Sequence, residues 1–148
     1  MTRMAFRFPL ATVLRFRESV EKREELTLKK LLLEMASVRR QIEETAHSIA
    51  AAQKARNETM RQALPALHLQ EMMHDEAVAA DRKKALLATL EALDQRRIAQ
   101  TNQYQAAHRD RQMLSEMAAR QRDIYEQVRA RAEQRVLDDI FAARAQRS

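Results

Sequence analysis

Not one of the 148 residues is glycine, and only Pro9 and Pro65 stand in the way of continuous helix. Turns and close backbone crossings usually need a residue that adopts positive φ at no steric cost, and glycine supplies it. A chain without any can make few turns, so a sandwich, a βαβ sheet or a glycine-rich phosphate loop is excluded. Ala, Leu, Gln, Glu and Arg are abundant, 32% of residues are charged and only 4% are aromatic. These are strong helix formers. The expected fold is all-α and elongated.

Pro65, in "QALPALH", is the one helix breaker beyond the extreme N-terminus. It lacks a backbone donor, clashes with the preceding turn and biases Leu64 away from helical backbone. Pro9 sits where a first helical turn would begin, and there the missing N–H costs nothing. The reading is a single coiled-coil domain over residues 1–148, with helix one over about 9–64 and helix two over about 66–144. Folding at Pro65 gives a long two-helix antiparallel coiled-coil hairpin.

Apolar spacing supports the pairing. In helix one, Leu28, Leu31, Met35, Val38, Ile42, Thr45, Ile49, Ala52, Arg56, Thr59 and Ala63 follow the alternating four-three step of a heptad seam. Val13, Phe16 and Val20 keep the step one position out of phase, which reads as a stutter before Leu28. In helix two the seam runs Leu69, Met72, Glu76, Ala79, Lys83, Leu86, Leu90, Leu93, Arg97, Gln100, Tyr104, Ala107, Arg111, Leu114, Ala118, Gln121, Tyr125, Val128. Its polar members fix register at a cost in stability. At 1.5 Å per residue the helices would span about 84 and 118 Å, so helix two overhangs by roughly 23 residues, about 121–144. The competing architecture is one kinked helix paired in parallel with a second copy, about 200 Å long.

The net charge of +6 is uneven: residues 1–40 hold ten basic and five acidic side chains, residues 41–108 eight and nine, residues 109–148 nine and seven. Acids interleave nearly everywhere, and the stacking aromatics of a nucleic-acid surface are missing, so no nucleic-acid partner is expected. The absence of cysteine removes disulfide and thiolate chemistry and suits a reducing compartment. No apolar run approaches the ~18 residues of a membrane span. The N-terminal stretch reads as mature sequence starting at Met1 or Met4.

Two Glu-x-x-His patterns, Glu44 with His47 and Glu71 with His74, have the spacing used by di-iron bundles. Both fall on outward heptad positions, and His68 and His74 share no face. No metal, cofactor or catalytic residue is expected, because a two-helix rod encloses no pocket from which to exclude water. The chain reads as a non-enzyme.

The ends differ from the middle. "FRFPLATVLRFRE" holds three of the four phenylalanines, and "AEQRVLDDIFAARAQR" holds the fourth, Phe141. Together these ends resemble the flagellar export protein FliJ family, stalk proteins associated with the ATPase of type III secretion. The match includes Phe, Leu and Arg at the N-terminal spacing, and Arg135, Leu137, Asp138, Asp139 and Arg144 near the C-terminus. Length, hairpin and lack of glycine agree.

The resemblance implies a cytoplasmic stalk, peripheral at the inner face of the cell membrane, whose joined termini enter the hexameric flagellar export ATPase. Its turn end would reach the cytoplasmic domain of the membrane export gate, and members escort export chaperones. On this chain the ATPase end would comprise Phe6, Phe8, Leu10, Leu14, Arg15, Phe16, Arg17, Arg135, Leu137, Asp138, Asp139, Ile140, Phe141 and Arg144. The gate end would comprise Ile49, Ala52, Arg56, Met72 and Met73. Family members often carry aromatics near that tip, whereas this chain has none there. Two other readings stand beside this one: a generic coiled-coil scaffold or tether, and a membrane-surface helix formed by "RFPLATVLRFR".

Overall fold

A computed structural model describes residues 5–62 and 65–147. Two helices make up nearly all of it: α1, Ala11–Met60, and α2, Ala66–Arg147. They pack against each other, with no strand among the described residues, as an all-α helical hairpin. Ala63, an expected seam position, and Leu64 lie outside the described residues.

The helix limits follow from backbone bonding. Pro9 lies in a turn before α1, where the Ala11 amide donates to the Phe8 carbonyl at 3.0 Å and the Leu14 amide donates to the Leu10 carbonyl at 2.9 Å. Beyond Met60, the amides of Arg61 and Gln62 donate to the carbonyls of Glu58 and Thr59 at 3.3 and 3.0 Å. Such three-residue bonds tighten the last turn of a helix and satisfy its final carbonyls. Pro65 immediately precedes α2, and its carbonyl accepts from His68 and Leu69 at 3.1 and 3.4 Å. A proline at this boundary forfeits no helical donor. Arg144 and Arg147 occupy the last turn of α2, where cations favour the negative helix end.

Contacts divide the chain into two units, Glu24–Tyr104 and the combination of Met1–Arg23 with Gln105–Ser148. In the first, Leu31, Met35 and Leu93 form the buried core, with Val38 and Leu90 packed against it. Two polar side chains are also buried there, Thr45 and Gln100. Thr45 Oγ1 donates to the Gln41 carbonyl at 2.7 Å. Gln100 Nε2 donates to the Glu24 carbonyl at 3.0 Å and to Glu24 Oε2 at 2.5 Å. Arg56 Nη1 lies 2.7 Å from Glu76 Oε2. Pairing Glu24 with Gln100 and Arg56 with Glu76 sets the helical segments of this unit antiparallel. The expected seam is inward throughout it: every named position from Leu28 to Thr59, and from Leu69 to Tyr104, is buried or half-buried.

The Arg56–Glu76 pair is largely shielded from water, so its loss should be measurable. We expect Arg56→Glu alone to destabilise the fold by about 1–2 kcal/mol, because it sets two carboxylates together. Adding Glu76→Arg should recover most of that loss in urea unfolding followed by circular dichroism. An additive second loss would show that the two side chains do not meet.

In the other unit, Ala107 is buried and the inward positions of α2 continue through Arg111, Leu114, Ala118, Gln121 and Tyr125. Val128, the last expected seam residue, is exposed. The stutter proposed for α1 is absent. Val13 and Phe16 are exposed, and the half-buried positions include Leu14, Arg17 and Glu21, with Ala11 and Val20 beside them. These keep the four-three step, so the seam phase before Arg23 needs no insertion. The shielded Glu21–Arg111 pair favours this phase, with Arg17–Asp110 a weaker, exposed addition. Arg111 Nε lies 2.6 Å from Glu21 Oε2, and Arg17 Nη1 lies 3.4 Å from Asp110 Oδ2. Charges that meet a partner across the seam can occupy it, and Phe16 is then left outside.

Candidate partner-binding surfaces

The residues expected at the ATPase end all fall in the unit formed by Met1–Arg23 and Gln105–Ser148, but they divide into two kinds. Phe6, Phe8 and Leu14 are half-buried and line a shallow groove with Ser115, Ala118, Ala119 and Arg122 of α2. The ring of Phe6 packs on Tyr125 with centroids 5.5 Å apart and planes tilted by 45°. The residues before α1 continue the antiparallel register, Phe6 meeting Tyr125 much as Glu21 meets Arg111, and uninterrupted exposure begins at Ala130 rather than near residue 121. Phe6, Phe8 and Leu14 of the expected plug thus form an internal staple.

Leu10 and Phe16 belong to the second kind: both are exposed. Phe16 carries the Arg17 guanidinium 5.9 Å from its ring centroid. Arg15 is exposed, and its Nη2 donates to Thr12 Oγ1 at 3.5 Å. Arg17 also meets Asp110, so it already has a partner within the unit. Unequal contributions to stability follow for the two phenylalanines. Phe6→Ala should cost about 1–2 kcal/mol and Phe16→Ala less than about 0.5 kcal/mol, since only the first loses packed area. Thermal unfolding of the two variants checks this, and equal losses would restore Phe16 to the seam.

The C-terminal members stand apart from the seam. Every residue from Ala130 to Arg147 is exposed, including Arg135, Asp138, Asp139 and Arg144. Val136, Leu137, Ile140 and Phe141 are exposed large apolar side chains, Phe141 at 66% of its full area. Two carboxylates beside them accept within the helix: Arg129 Nε donates to Glu133 Oε1 at 3.3 Å, and Gln134 Nε2 donates to Asp138 Oδ1 at 3.0 Å. Sequence reasoning placed Leu137, Ile140 and Phe141 here but assigned Val128 to the seam and passed over Val136. The four-residue step 128, 132, 136, 140 was the signal that could have found them.

The residues expected at the gate end divide by burial. Ile49, Ala52, Arg56 and Met72 are half-buried seam residues, and Arg56 is committed to Glu76. Only Met73 of that set is exposed. Met60 and Leu67, flanking the turn, are exposed at 62% and 67% and were missed. They fall just off the heptad seam, where the pattern assigns no apolar residue. The turn end therefore presents Met60, Leu67 and Met73 as its adaptable apolar side chains.

Glu44, His47, Glu71 and His74 are all exposed. Among the described residues no group of three His, Cys, Asp or Glu could hold a metal ion, and no helix is long and apolar enough to cross a membrane. No protein-family model, curated protein or solved structure matches the chain.

Proposed function

We propose that the chain is a central-stalk-like component of the flagellar type III export apparatus, engaging the hexameric export ATPase through its termini. The observation that carries this reading is the exposed end of α2, where Leu137, Ile140 and Phe141 stand in water beside Arg135 and Arg144. A soluble helix seldom leaves so much contiguous apolar surface without a use. Arginines around apolar anchors suit a partner lined with carboxylates, because each guanidinium can pair bidentately while the anchors fill pockets. The non-helical Phe6–Phe8 staple packs on α2 as far as Tyr125, and the exposed turns of α2 continue beyond it.

In this reading the turn end, through Met60, Leu67 and Met73, meets the cytoplasmic domain of the export gate. The protein works in the cytoplasm, held at the inner face of the membrane by its partners, and it escorts export chaperones. It performs no catalysis itself and raises hydrolysis by ordering the ring. ATP hydrolysis by the cognate export ATPase, measured with and without the intact protein, tests the reading. A several-fold rise supports it; an unchanged rate favours a generic coiled-coil tether, the second reading that the polar-interrupted seam accommodates.

A further inference from the structure

The exposed end of α2 carries an inverted symmetry. Around Asp138 and Asp139 the chain reads Val136-Leu137 on one side and Ile140-Phe141 on the other, with Glu133 and Arg144 at equal distances beyond. At 100° per residue, Val136, Ile140, Leu137 and Phe141 fall within an arc of about 140°, and Glu133 and Arg144 lie inside the same arc. Asp138 and Asp139 fall outside it. All four apolar side chains are exposed, as are Glu133 and Arg144.

We propose that this face binds the same face of a second copy of the chain, antiparallel, about a two-fold axis between Asp138 and Asp139. That register sets Val136 opposite Phe141 of the second copy and Leu137 opposite Ile140. It sets Glu133 opposite Arg144 twice, once on each side of the axis. A contact between identical patches must be self-complementary in this way: what residue i meets on its partner must meet residue i in return. A run of apolar residues alone would satisfy many partners. The charge inversion between Glu133 and Arg144 is what favours a copy of itself, because a parallel pairing would oppose like charges at both positions. Glu133 exchanges its neighbour Arg129, 3.3 Å away on the same helix, for an arginine across the interface.

The contact is short and belongs with interfaces under about 1,200 Å², so the pairing is weak and reversible. It stands on the face itself and not on the ATPase reading. Where that reading also holds, Leu137, Ile140 and Phe141 cannot serve the ring and the second copy together, and the dimer is the state from which the ring takes the stalk.

Sedimentation equilibrium of the full chain alone, over about 5–300 µM, tests the pairing in the range where a contact of this size associates. The expected mass rises from 17.2 kDa toward twice that value, while Ile140→Glu holds it at the monomer. Glu133→Arg or Arg144→Glu alone should weaken association about tenfold, and the two together should restore it to within about threefold. A monomer at every concentration overturns the proposal. So does a dimer indifferent to Ile140→Glu, or a double reversal as weak as the single ones. The ATPase is absent from every arm, so none of these failures bears on the proposed function.

Discussion

Removing residues 132–148 should abolish stimulation of the export ATPase while far-ultraviolet dichroism falls only by the share of helix deleted. The argument rests on exposure. From Ala132 to Arg147 no described residue is even half-buried, so the deletion takes away neither the Leu31–Met35–Leu93 core nor the Phe6–Tyr125 contact. The stability of what remains should change by less than about 0.5 kcal/mol, the usual range for surface changes away from special features. Function, on the proposed reading, loses Leu137, Ile140, Phe141, Arg135 and Arg144 at once. If unfolding midpoint and stimulation fell together, these residues would be structural, and the proposed docking surface would lose its support.

The second large effect is on the fold itself. Met35→Ala should destabilise the hairpin by about 2–4 kcal/mol, the cost of a cavity where a large buried side chain was. Met35 is only 1% exposed, the most buried large side chain of the chain's described residues, and it packs with Leu31 and Leu93. A two-helix assembly has few such positions, so the loss cannot be spread over a thick core. Leu33→Ala is the control: Leu33 is 70% exposed, and its truncation should shift stability by less than about 0.5 kcal/mol. Urea unfolding measures both, and equal effects would mean that the helix face assigned to the core is wrong.

The sequence made the middle of the molecule readable and the ends only partly so. From Leu28 to Thr59 and from Leu69 to Tyr125, every described position that the heptad step names is buried or half-buried, including polar ones such as Lys83, Gln100 and Arg111. Over that length a shift of one residue would turn many apolar side chains to water, so the register is over-determined. Before Arg23 the same rule had two solutions. Val13 and Phe16 are more apolar than Arg17 and Glu21, and hydrophobicity alone favoured the wrong phase. What favours the observed phase is the shielded pair of Glu21 with Arg111, a relation among residues about 90 positions apart that periodicity does not encode. At the turn end, Ile49, Ala52, Arg56 and Met72 lie on the half-buried seam, and nearness to the turn alone does not separate them from exposed neighbours. Met60 and Leu67 were overlooked because an apolar residue off the seam leaves no periodic trace.

The central claim, that the free end of α2 is the surface presented to the export ATPase, is tested most directly by placing a photo-cross-linking amino acid at position 141 and another at position 73. With the assembled ATPase present, position 141 should yield an adduct with the ATPase subunit and position 73 should not. An adduct from position 73 alone, or none from 141 while hydrolysis is stimulated, would contradict the account.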